Sequence, residues 1–151
     1  MREGKAMADV FNVAKYVLKR LGPITTMKLE KEVYYCQAWS LGWDEKPLFA
    51  EDFQAWANGP VCPELFHKHK GKFVIDETLF DDIPDCEFTE DEIETMNAVL
   101  DYYGDKEPQW LSELTHKEAP WKSARVGVPA GQACSNVISK ESMMQYYGGL
   151  Q

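Results

Sequence analysis

The sequence has no long apolar run. No stretch of its 151 residues approaches the roughly 18 consecutive apolar residues that a transmembrane helix needs. Residues 1–6 contain basic side chains, but no apolar segment follows them, because Asp9 interrupts it, so an ordinary secretory signal is not expected. We expect a cytoplasmic protein without a membrane partner, in which residues 1–7 form an extension before the folded domain.

Cysteine is scarce and scattered. The four cysteines are Cys36, Cys62, Cys86 and Cys134, and no CxxC pair occurs. This pattern is typical of free thiols in a cytosolic protein and lacks the spacing of a structural zinc site. A zinc site would require Cys62 together with His67 and His69, and two histidines at that spacing on a helix point to nearly opposite faces. We therefore expect no metal and no cofactor.

The short motifs of common enzyme classes are also missing. There is no P-loop, no GxGxxG, no HExxH and no nucleophile elbow. The nearest approach to a catalytic cluster is the run from Thr115 to Glu118, which includes His116. Neighbours along a helix end do not face a common point, and no nucleophile accompanies them. An imidazole at a helix C-terminus can instead bond free carbonyls, so we do not expect an enzyme.

Basic residues are absent from one long segment. Residues 76–101 contain eleven acidic side chains and no Lys or Arg, whereas the rest of the chain has fourteen acidic and sixteen basic residues, a net charge of +2. This acidic segment indicates either a solvated face or a docking surface for a basic partner. Phosphate binding needs a basic footprint, so the charge argues against nucleic acid as a partner.

Apolar spacing predicts a mainly α protein: a compact single-domain helical bundle of about five or six helices with one small β-hairpin, occupying residues 8–147 before a tail at 148–151. Helix starts are predicted at Asp9, at Thr25 or Thr26, and at Pro63, Thr89, Pro108 and Ser139. The second helix has apolar residues over a broad arc, which is typical of a central helix. Glu32 would make one side of it wetter.

Three segments are predicted to be irregular, and the acidic residues 76–88 are one of them. Residues 42–62 should form a loop with a short strand, and residues 120–136, rich in Gly, Ala, Ser and Pro, should form a surface loop. Residues 73–75 are a second strand candidate, which could pair with residues 53–57. Between them, Asn58-Gly59 is a turn signal because both residues tolerate positive φ.

The tryptophans fall into two groups. Trp39 and Trp110 lie at helical spacing and are expected in the core, together with Tyr34. Trp56 and Trp121 adjoin loops that contain proline, and the sequence leaves open whether they belong to the core or to an interface.

Three blocks together resemble the Panacea domain, the domain of the SocA-like antitoxins, which is also found in phage-associated proteins. The blocks are MKLEKEVYYCQAW at residues 27–39, FQAWANGPVCPELF at residues 53–66 and LSELTHKEAPWK at residues 111–122. Their order and spacing, and a final helix, extend the resemblance over about residues 8–147. Glu32 departs from the family pattern, in which this position is usually apolar. The resemblance implies a mostly helical fold and the neutralisation of toxins by direct binding.

Two functions follow as expectations. The first is an antitoxin that neutralises a cognate protein toxin by direct binding. The alternative is a non-enzymatic adaptor or regulatory module that presents a partner protein to other machinery such as a protease. A phage origin is one form of this alternative. A homodimer is left open. The predicted partner-binding residues come from the second and third blocks: Trp56, Asn58, Gly59, Pro60, Val61, Thr115, His116, Trp121 and Lys122.

Overall fold

A computed structural model describes residues 7–150, of which 56% are helical. The described residues form seven α-helices: α1 Val10–Leu21, α2 Thr26–Trp39, α3 Pro63–His69, α4 Glu90–Tyr103, α5 Pro108–Lys117, α6 Ala119–Ala124 and α7 Lys140–Gly148. The strands are β1 Ile24–Thr25, β2 Phe53–Trp56, β3 Gly59–Val61, β4 Val74–Ile75 and β5 Val137–Ile138. The mainly α architecture is confirmed, although the number of helices exceeds the expected five or six. The expected N-terminal extension lies outside the described residues, apart from Met7.

Helix starts follow the capping residues that the sequence provides. At α1, the Asp9 carboxylate accepts a hydrogen bond from the Asn12 amide at 2.9 Å, and the Asn12 side chain accepts one from the Asp9 amide at 2.9 Å. Thr89 and Glu92 form the same reciprocal pair at α4. Each pair satisfies two backbone N–H groups that the helix itself leaves unbonded. Side chains also cap α2 at Thr25 and α7 at Ser139.

Helix α2 lies at the centre of the molecule. It contacts α1, α4, α5, α7 and β3, and every residue from 29 to 38 is buried. Its charged residues are no exception, because Glu30, Lys31 and Glu32 are only 2%, 2% and 0% exposed. The expectation that Glu32 makes this helix wetter is therefore wrong. Both of its carboxyl oxygens are buried without a hydrogen-bond partner among the described residues.

The strands form two small antiparallel sheets. In the three-stranded sheet β2 lies between β3 and β5, with Trp56 opposite Gly59 and Phe53 opposite Ile138. The expected pairing of residues 73–75 with β2 is wrong, because β4 pairs with β1 and places Ile75 opposite Ile24. A hairpin is present, and β5 extends it to a third strand.

Three further expectations are wrong. Residues 40–44 form a π-helical turn that continues α2, where a loop was expected from residue 42. Residues 119–124 form α6, although the composition favoured a loop. Pro120 is compatible with this helix because it lies in the first turn, where a missing N–H costs no hydrogen bond.

Trp110 is not in the core; it is exposed on α5, with the Lys106 ammonium 5.1 Å from its ring centre.

A buried network of tyrosine hydroxyls around the Glu118 carboxylate joins α2 and α7 to the junction of α5 and α6. The hydroxyl groups of Tyr35 and Tyr147 donate hydrogen bonds to one oxygen of Glu118, at 2.8 and 2.7 Å. The Tyr34 hydroxyl oxygen lies 3.2 Å from that of Tyr147. Burial raises the pKa of Glu118, and the two hydrogen bonds oppose that shift. The network fixes the junction of α5 and α6 against α2 and α7.

Within residues 7–150, none of the helices combines the length and apolarity that crossing a membrane requires.

Glu32 provides a test of this packing. Burial raises the pKa of Glu32 from 4.5 to about 8. In the unfolded chain the carboxyl loses its proton near pH 4.5, whereas in the native protein it keeps the proton to about pH 8. Because the native state binds the proton more tightly, the free energy of unfolding falls as the pH rises from 4.5 to 8. We expect Glu32→Gln to flatten the pH dependence of stability, with a gain relative to wild type that grows by about 2–4 kcal/mol between pH 4.5 and 8.

Urea unfolding at several pH values measures this effect. Glu94→Gln, at an exposed position on α4, is the matched control and should follow the wild-type pH dependence. Parallel pH profiles for wild type and Glu32→Gln would contradict the buried, protonated state of this carboxyl.

Candidate functional site

The β2–β3 hairpin carries five of the nine predicted partner-binding residues. Because Trp56 pairs with Gly59, the tight loop consists of Ala57 and Asn58, one residue earlier than expected. Gly59 is already in β3 and has φ 122°, whereas Asn58 does not have a positive φ. The expected positive φ is therefore confirmed for Gly59 alone.

Glycine at position 59 allows the hairpin to lie directly on α2. A Cβ atom there would be 2.5 Å from Cε of Lys31 and 3.0 Å from Oγ1 of Thr115. Any larger residue would have to displace the buried lysine or the hairpin. Gly59 is thus the point at which the hairpin, α2 and α5 meet.

The α5–α6 segment, which carries the other four predicted residues, meets the hairpin. The Trp121 indole N–H donates a hydrogen bond to the Trp56 carbonyl at 2.9 Å. The Ser112 hydroxyl donates one to the Asn58 carbonyl. The second and third sequence blocks, far apart along the chain, therefore hold each other in place.

The nine residues differ in what they offer to a partner. Four are buried and support the fold: Gly59, Pro60, Val61 and Thr115. Five retain accessible surface, and we call their common surface the hairpin face: Trp56, Asn58, His116, Trp121 and Lys122. The sequence could not separate the two groups, because strand pairing and the docking of α5 decide which side chains are covered.

The aromatic residues of the hairpin face are held in fixed orientations. The Trp56 indole N–H donates to the Gln54 side chain at 2.8 Å, and its ring packs edge-on against Phe66 at 5.0 Å. His116 stacks on Trp121 with ring centres 4.1 Å apart. Both tryptophans are half-buried, and Trp121 also packs against the core.

The surroundings of His116 favour its neutral form. Burial lowers the pKa of the imidazole, and the positive charges of Lys31 and Arg125 lower it further. Its Nε2 atom is buried and has no hydrogen-bond partner among the described residues. The ring contributes a stacking surface against Trp121.

A cavity of about 740 Å³ opens at the hairpin face, and Trp56 and Asn58 of that face line it. Trp56 and Phe66 form part of its apolar wall, and residues 133–135 also line it. Three polar side chains from the interior also line it: Glu30, Lys31 and His69. We call this space the hairpin cavity.

The polar groups of the hairpin cavity are not equally satisfied. Glu30 accepts a hydrogen bond from the Cys62 amide at 2.9 Å, and its other oxygen lies 2.7 Å from Nε2 of His69. In contrast, no hydrogen bond or ion pair joins the Lys31 ammonium to another described residue. Burial lowers the pKa of Lys31 to about 8, although the charge of Glu30 opposes this shift.

Glu30 and Lys31 were not singled out from the sequence. Charged side chains within a helix are usually solvated, so there was no reason to expect these two residues in the interior. The available signal was the broad apolar arc of α2: a helix that is covered on every side must bury its charges too.

The other candidate surface, the acidic segment, is partly neutralised within the chain. Asp85 pairs with Lys15 and Lys19, at 3.2 and 3.1 Å, and Asp101 pairs with Arg20 at 2.9 Å. Lys68 and Asp82 form another pair at 2.9 Å. These exposed pairs favour a solvated face over a docking surface for a basic partner.

The described residues do not bring three or more His, Cys, Asp or Glu side chains together in a way that could hold a metal ion. Of the residues considered for zinc, His67 is exposed and His69 faces Glu30. Cys36 and Cys62 are free thiols, and both are buried.

Comparison with known protein families gives a match. A family model described as antitoxin SocA-like, Panacea domain, matches residues 29–122. This range includes α2 from Leu29 onward, the hairpin and the α5–α6 segment through Lys122. No curated protein and no solved structure matches the chain.

The contact below Gly59 yields a prediction. We expect Gly59→Ala to lower the free energy of unfolding by about 1–3 kcal/mol more than Gly71→Ala does, because only the first adds a collision to the strain of positive φ. Gly71 is a matched control, since it has φ 86° with no atom within 4 Å of an added Cβ. Urea unfolding measures both losses, and equal losses would mean that the hairpin does not lie on Lys31 as described.

Proposed function

The chain belongs to the SocA-like antitoxin, Panacea domain family, and from this premise we propose that it neutralises a protein toxin by binding it directly through the hairpin face. The observation that carries the proposal is the convergence of two sequence blocks on one surface. Trp121 bonds the Trp56 carbonyl, and both blocks lie within the segment that the family model matches.

The hairpin face has properties that suit a protein partner. Stable interfaces bury about 800 Å² on each side and depend on a few aromatic anchors. Trp56 is such an anchor, since it is half-buried and its indole is already oriented by Gln54 and Phe66. A side chain that is ordered before binding loses less entropy in the complex.

The two tryptophans have different roles in this proposal. Trp56 contacts the toxin, together with Asn58 and Lys122 at the exposed edge. Trp121 supports the face from below, because its indole N–H is bonded to the hairpin and its ring packs between His116 and the core. The buried residues of the hairpin act only by holding its shape.

Alanine substitutions separate these roles. We expect Trp56→Ala to weaken toxin binding by roughly 30-fold or more while the melting temperature changes little, since central aromatic anchors contribute about 2 kcal/mol or more. Trp121→Ala should lower the free energy of unfolding by about 2–4 kcal/mol, because it removes a large packed side chain.

Binding is measured by titration with any neighbouring gene's product that is toxic when expressed alone, and neutralisation by growth on co-expression. Trp110→Ala is the matched control, because Trp110 is an exposed tryptophan on α5 outside the hairpin face. It should leave both binding and stability unchanged. Undiminished binding by Trp56→Ala would exclude the hairpin as the contact surface.

A further inference from the structure

Lys31 is an unusual residue to retain in the interior. A buried cation without a partner is costly, and an apolar side chain of the same length would avoid that cost. Lys31 is nevertheless 2% exposed, unpaired among the described residues, and on the wall of the hairpin cavity. The cavity therefore has a positive group that is not neutralised by hydrogen bonding or ion pairing within the described chain.

The rest of the cavity determines which anion would fit. Its lining includes Met27, Trp56, Val61 and Phe66, all apolar or aromatic. The charge of Glu30 acts on Lys31, but its two oxygens are turned to the Cys62 amide and to His69, so neither forms an ion pair with the ammonium. One available positive charge among apolar walls suits a single negative charge on an apolar body, and a doubly charged phosphate would leave a charge uncompensated.

The size of the cavity also points to a small molecule. Ligand sites usually have volumes of about 300–1,000 Å³, apolar walls and a few placed polar groups, and the hairpin cavity has a volume of about 740 Å³.

We propose that the hairpin cavity is a binding site for a small apolar molecule with one carboxylate, in which the carboxylate pairs with Lys31 and the apolar body packs against Trp56 and Phe66. This site goes beyond the toxin-binding proposal, and it is tested on the isolated chain, so its failure would leave that proposal standing.

The test compares an acid with its neutral analogue. Indole-3-acetate and indole-3-acetamide have nearly the same shape, but only the first is charged. NMR titration of the wild-type protein should give a dissociation constant on the order of 1 mM or tighter for the acid, with shifts of cavity residues and of the Lys31 side-chain resonances. The amide should bind at least tenfold more weakly.

Variants assign the preference to Lys31. Lys31→Met keeps the length of the side chain and removes an unpaired buried charge, so it should fold and melt no earlier than wild type, and it should bind acid and amide equally. Lys72→Met, at an exposed lysine outside the cavity, should keep the wild-type preference.

Three results would overturn the proposal: equal binding of acid and amide by wild type, no shift of cavity residues with the acid, or a preference for the acid that survives in Lys31→Met. The wild-type titration decides the question even if Lys31→Met does not fold.

Discussion

The fold depends on a helix that has no solvent-facing side and yet carries three consecutive charged residues. Helix α2 is covered by α1, α4, α5, α7 and β3, so Glu30, Lys31 and Glu32 must each be accommodated in the interior. Each is accommodated differently. Glu30 is bonded to the backbone of Cys62 and to His69, Glu32 has a pKa raised to about 8, and Lys31 lines the hairpin cavity.

The position of the hairpin follows from this arrangement. Lys31 passes below β3, and only a residue without a Cβ at position 59 allows that approach. The hairpin then presents two carbonyl groups, of Trp56 and Asn58, which accept hydrogen bonds from Trp121 and from α5. The residues that carry the family resemblance thus form one connected structural unit, and its outer surface is the hairpin face.

Local signals in the sequence were sufficient for much of the fold. Asp9, Thr25, Thr89 and Ser139 each begin a helix where expected, because a cap depends only on neighbouring backbone. The partner of β4 could not be predicted, because a two-residue strand contains little information about a distant pairing. Proline in the first turn of α6 was indistinguishable from proline in a loop. Periodicity identified α2 as central but could not tell how its buried charges are satisfied, and for this reason Glu30 and Lys31 were not singled out.

Hydrogen–deuterium exchange of the chain with and without its toxin tests the central claim most directly, namely that the hairpin face is the contact surface. The account predicts that the toxin slows exchange in residues 53–61 and 111–122, where the two converging segments lie. Protection confined to residues 76–101, with the hairpin unchanged, would contradict it and would transfer the binding site to the acidic segment.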